Sequence, residues 1–173
     1  KVADMNEYKI ELRNMEVDAC EYKYEIHDKF FADIEALEIR KGDLCVTVRV
    51  GKVFDAFQIE IHSKGVVTLV CDRCLDEMEW PVDTNDMLTV KFGENASDED
   101  EVIVIPEEDG GIDLAWHIYE FVALSLPLQH HHADGLCNPD MMKMLSEHTS
   151  ENEKEDGTNT DPRWNDLKKI LNK

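Results

Sequence analysis

Apolar and polar residues alternate along much of the first two thirds of the chain. Tyr8-Lys9-Ile10-Glu11-Leu12 and Cys20-Glu21-Tyr22-Lys23-Tyr24-Glu25-Ile26 change character at nearly every position, the period of a strand with one face on a core. Leu44 to Val50 follows the turn-forming Lys41-Gly42-Asp43, and Phe54 to Ile61 sets Phe57, Ile59 and Ile61 on one face. Val66 to Val70 begins after a second break at Lys64-Gly65, and further strands are predicted at Met78 to Val82, Met87 to Phe92 and Val102 to Ile105. The connections are short, which predicts antiparallel pairing, because parallel neighbours need a long crossover.

After Gly110-Gly111 the period changes. Leu114, Ala115, Ile118, Phe121 and Val122 recur at three- and four-residue spacing, Asp113 stands where a cap belongs, and Pro127 closes the segment, so a helix is predicted from Leu114 to Ser125. Glu147 to Thr160 has no apolar period and reads as an acidic disordered linker over 147–160. Asp161-Pro162 then opens a short amphipathic helix over 161–173, with Trp164, Leu167 and Leu171 on one face. The expected fold is α+β. A β-rich globular domain over 1–146 would hold an antiparallel β-sheet or partly open barrel covered by one long helix, and a short C-terminal helix would follow on a flexible tether.

Composition narrows the setting. The 173 residues are 42% hydrophobic, enough for a real core, and no apolar run approaches the roughly 20 residues of a membrane span. The opening Lys1 to Lys9 lacks the apolar centre of a secretory signal, so a cytoplasmic protein is expected, with no membrane partner. The net charge is −21, concentrated in stretches: eight acidic residues and no basic one from Glu94 to Asp109, and six acidic against Lys154 from Glu147 to Asp161. Such a field repels nucleic-acid phosphates and draws in basic partners. It also keeps loops solvated, which alone would account for it.

Of the five cysteines, Cys20 and Cys45 fall in strand patterns and read as core. Cys71 and Cys74 stand two apart where one predicted strand ends and another begins, a spacing that chelates one ion from a tight turn. A closed structural zinc site needs two more ligands. Cys137 follows His130, His131 and His132; His132, five residues before Cys137, leaves loop enough for both to reach one ion, with His130 and His131 open as alternatives. The rival is a Cys-x-x-Cys thiol redox protein, which fits less well because such pairs open a helix and the residues after Cys74 read as a strand. Trp80 and Trp116 lie in apolar patterns and read as core, while His27, His62, His117 and His148 are isolated and take no role. The chain contains no glycine-rich phosphate loop, nucleophile elbow or His-Glu-x-x-His pair, and no catalytic residue is assigned.

These residues carry a resemblance. Val67-Thr68-Leu69-Val70-Cys71-Asp72-Arg73-Cys74-Leu75, then Ile112-Asp113-Leu114 opening a helix that ends Leu124-Ser125-Leu126-Pro127-Leu128, then His132 and Cys137, is similar to the YceD family, named for large ribosomal RNA subunit accumulation. The closing Asp161-Pro162-Arg163-Trp164 with Leu167 resembles the tail of many of its members. The resemblance implies a non-enzymatic ribosome-assembly factor that supports large-subunit ribosomal RNA accumulation. It carries over Cys71, Cys74, His132 and Cys137 as the matched site. Given the acidity, the expected partner is a basic ribosomal protein or a large ribosomal subunit precursor, with Arg163, Trp164, Leu167 and Leu171 of the tail as a second contact. Direct binding of ribosomal RNA, with Arg73 and nearby aromatics presented by a zinc knuckle, is the alternative.

Overall fold

The computed structural model describes residues 6–13, 15, 19–93, 97–99 and 102–149. Four long strands make its frame: β1 (Lys9–Glu11) is short and separate, and then β2 (Ala19–Ile26), β3 (Lys41–Val53), β4 (Ala56–Val70) and β5 (Glu77–Gly93) follow one another as antiparallel neighbours. The period-two alternation decides their faces. Leu44, Val46, Val48 and Val50 of β3 and Phe57, Ile59, Ile61, Ser63, Val67 and Leu69 of β4 are buried, while the even-numbered residues of β4 between Phe57 and Leu69 and the odd-numbered ones of β3 between Leu44 and Val50 alternate with them on the other face. The same odd-numbered face continues to Cys71, which therefore leaves the strand pointing inward.

The breaks expected inside this sheet are absent. Lys41-Gly42-Asp43 is the start of β3, and β4 runs through Lys64-Gly65 without interruption. Gly65 sits opposite Leu44 at φ 155°, and a Cβ there would stand 2.1 Å from the Asp43 carbonyl oxygen. Glycine here permits a close approach of two backbones and does not end the strand. The turn lies instead at Phe54 and Asp55, between paired Val53 and Ala56, with Phe54 at φ 57°. Likewise the two strands predicted around Trp80 and Leu88 are one, β5.

The sheet is mixed, not antiparallel throughout. Beyond β5 the order continues through β7 (Val102–Pro106) to an edge strand β6 (Ser97–Glu99), and β7 lies parallel to β5 from Thr89↔Val102 to Gly93↔Pro106. β6 carries the chain back as a brief outer strand, so the parallel neighbour is reached without a helical crossover.

Three helices occur among the described residues where one long one was expected: α1 (Asp28–Asp33), α2 (Ala115–Ser125) and α3 (Pro139–His148). α2 is the predicted helix and packs on β4 and β5 through Ala115, Ile118, Tyr119 and Val122. Its cap position is Leu114, while the Asp113 carboxylate accepts the Ala115 N–H at 2.9 Å. α1 inserts Phe30 and Phe31 against the edge of β3, and β1 pairs with β8 (Gly111–Asp113), closing Ile10, Leu12 and Ile112 over the same core. Three residues read as core are not: Trp116 is 56% exposed, Cys45 is exposed, and Cys20 is half-buried. α3 includes Glu147 and His148, which the linker was expected to hold. Residues 150–160 of that linker and the helix predicted over 161–173, with Arg163, Trp164, Leu167 and Leu171, lie outside the described residues.

Candidate metal centre

β4 delivers Cys71 to the inner face, and the chain must then reverse within a few residues to start β5 at Glu77. It does so through a knuckle. The Leu75 N–H donates to the Cys71 carbonyl at 2.9 Å, the Cys71 N–H donates to the Asp76 carbonyl at 2.9 Å, and Leu75 takes a left-handed φ of 63°. The turn directs Cys74 back beside Cys71, and both are buried.

The second half of the centre comes from the loop that follows α2. The Asp72 N–H donates to the His130 carbonyl at 2.9 Å, and the His130 N–H donates to Asp72 Oδ2 at 2.7 Å. This reciprocal pair locks the loop onto the knuckle. Asn138 then acts twice: its side-chain oxygen caps α3 by accepting from the Asp140 and Met141 N–H groups, and its Nδ2 donates to Asp76 Oδ2 at 3.1 Å. Pro139 at the first turn of α3 suits that cap.

Between these anchors four side chains converge. Cys71 Sγ and Cys137 Sγ stand 3.9 Å apart, Cys74 Sγ and His132 Nδ1 stand 3.4 Å apart, and the four ligand atoms all lie within 4.8 Å of one another. A tetrahedron with metal–sulfur bonds of about 2.3 Å and a metal–nitrogen bond of about 2.0 Å has edges of roughly 3.5 to 3.8 Å. The donor set and spacing fit one tetrahedral ion, so these four residues could hold a metal. Of the three consecutive histidines, His132 is the one in the cluster. His130 is spent on the loop anchor, its ring nitrogen 3.8 Å from Asp72 Oδ1, and the His131 ring lies 3.2 Å from the Arg73 guanidinium.

The electrostatics suit a cation as well. Burial opposes a charge on Cys71, but the backbone N–H groups of Cys74, His132 and Arg73 and the Cys74 side chain outweigh it and bring its thiol down to about 5. Burial and the neighbouring Cys71 push the Cys137 thiol up to about 11. The cluster thus concentrates negative charge on Cys71 and opposes a thiolate at Cys137 beside it.

Sequence reasoning had named the four side chains that meet here, with His130 and His131 open beside His132, but missed the supports: Asp72, Asp76, Asn138 and the whole of α3. Asn138-Pro139 has the same sequence pattern that predicts a helix start at Asp161-Pro162, and it carried the signal for α3. No helix among the described residues is long and apolar enough to cross a membrane.

Residues 59–171 match the family model described as large ribosomal RNA subunit accumulation protein YceD. The match starts within β4 and takes in the knuckle, α2, the loop, α3 and the tail. No curated protein and no solved structure matches the chain.

Proposed function

The chain belongs to the YceD family, and from that premise we propose that it is a cytoplasmic, non-enzymatic ribosome-assembly factor that supports large-subunit ribosomal RNA accumulation by binding a basic ribosomal protein or the assembling large subunit. The family match over 59–171 carries the reading, since the family is named for accumulation of that RNA and not for a catalytic activity. The charge of −21 supports a basic protein surface as the direct contact over bare phosphate. The basic tail, through Arg163, Trp164, Leu167 and Leu171, supplies a second contact whose tether raises its local concentration.

The ion in this reading is zinc, held by Cys71, Cys74, His132 and Cys137 in a structural role. Zinc in a closed four-ligand site contributes folding energy and leaves no open position for substrate. What the residues do is fasten the loop 127–138 and the start of α3 to the β4–β5 reversal, so that the surface around α2 keeps one shape. The thiol-exchange alternative is less well supported, because Cys71 and Cys74 lie between two strands and not at a helix start. For direct RNA readout, Arg73 is already turned toward His131 and Asp134.

The test is affinity capture from lysate at low and moderate salt with the full chain as bait. Ribosomal proteins or large-subunit precursor particles are expected, with recovery falling as salt rises. Recovery of protein-free ribosomal RNA alone would overturn the reading in favour of direct RNA binding.

A further inference from the structure

An apolar groove of about 470 Å³ lies beside the knuckle, where the end of β4 faces the C-terminal end of α2. Its lining includes Leu37, Leu75, Leu124 and Leu128, which are 86, 64, 75 and 103% exposed. Single exposed leucines need no explanation, but four around one depression form the kind of patch that marks a docking surface. Glu38 and Asp72 also line it, against Arg40.

We propose that this groove seats the chain's own C-terminal segment, 161–173, with Trp164, Leu167 and Leu171 against the leucines. The spacing of those three residues is the i, i+3, i+7 pattern of a helix laid into an apolar groove. Reach permits it. α3 starts two residues after Cys137, is tied to the knuckle through Asn138 and Asp76, and is only about 15 Å long at 1.5 Å per residue. Residues 150–160 then span up to about 35 Å when extended, more than the length of α3 that they must retrace toward the knuckle. Charge favours the same occupant. The segment has four basic residues, Arg163, Lys168, Lys169 and Lys173, against Asp161 and Asp166, so the remainder of the chain stands at −23. Segment and domain attract, whereas two whole copies at −21 repel. The short tether adds an effective concentration in the millimolar range, which a separate molecule lacks. The segment offered above to a ribosomal partner is therefore held on the domain until a partner displaces it. The inference goes beyond the ribosomal reading and stands or falls without it.

Hydrogen exchange read by mass spectrometry on the full chain tests it. Amides of 164–171 are expected to exchange at least about tenfold slower than random-coil rates, independent of protein concentration. Leu128→Lys and Leu124→Lys, both at exposed positions, should return them to random-coil rates while β3 and β4 amides stay protected. Random-coil exchange of 164–171 in the unmodified chain would overturn the proposal, as would protection that survives both substitutions. Protection that grows with protein concentration, with dimer in sedimentation, would assign the groove to a second copy and overturn it too. Affinity capture of ribosomal partners is a separate readout, so its failure leaves this one intact.

Discussion

Along β3 and β4 the buried residues alternate with exposed ones and each strand pairs with its neighbour in sequence; the candidate metal centre instead brings Cys71 and Cys74 to Cys137 and His132 across 66 and 58 positions of chain. The sheet is held by many interchangeable apolar contacts, so its stability is spread over the core. The knuckle and its loop meet through four candidate ligands and a few hydrogen bonds, with His132 and Cys137 only half-buried. Loss of one part of such a cluster releases the whole of it. The contrast predicts two separable unfolding behaviours in one domain.

The largest effect expected is on the proposed zinc. Purified protein should carry one equivalent of zinc per chain and Cys71→Ala none, with amides of 127–138 exchanging freely while β3 and β4 stay protected, as measured by elemental analysis and hydrogen exchange. A full equivalent retained in that variant would dissolve the contrast at its root. Ile61→Ala attacks the other side: a fully buried strand residue whose truncation should cost about 2–5 kcal/mol in denaturant unfolding without releasing metal.

The third effect is pH-dependent and belongs to the metal-free protein. Cys71 is depressed to about 5 from 9.0, so its contribution to stability is fully present above about 9 and is lost as pH falls through about 5. Cys137 is raised to about 11, so its contribution is present below about 9 and lost as pH climbs through about 11. Loop melting followed against pH in chelator should therefore show a maximum near pH 9, and a flat profile would mean the thiols do not organise the loop. Smaller still, Asp72→Ala removes the acceptor for the His130 N–H and should weaken loop closure by about 1 kcal/mol, read as faster exchange at 128–132. On the sheet's outer face, Arg49→Ala breaks an exposed pair with Glu21 and should leave the denaturation midpoint unchanged.

How much of this was legible depends on range. The period-two runs of β2, β3 and β4 are local signals and located those strands, and the three- and four-residue spacing from Leu114 located α2. Glycine misled, because Gly65 resembles a turn residue until the neighbouring β3 backbone that requires it is in place, and Gly42 until the Phe31 ring that crowds it is. α3 escaped because no residue in it is fully buried, which left only its Asn138-Pro139 start to announce it. The three cysteines were legible by residue type, as few other side chains serve such a site; spacing and resemblance favoured His132 but left His130 and His131 open until the fold set His132 beside Cys74.

By itself, the order of residues determined the inward face that carries Phe57, Ile59, Ile61 and, on the same alternation, Cys71; it also determined the two-residue gap to Cys74 and the acidity of the whole. These follow from periods and charges that each segment carries alone. Only the tertiary structure decided that β7 returns parallel to β5, that His132 and not its two neighbours meets Cys74, and that leucines from α2, the knuckle and the segment after α1 surround one groove. Each of those depends on where distant parts of the chain come to rest, and no local period encodes a distance between segments that meet only after folding.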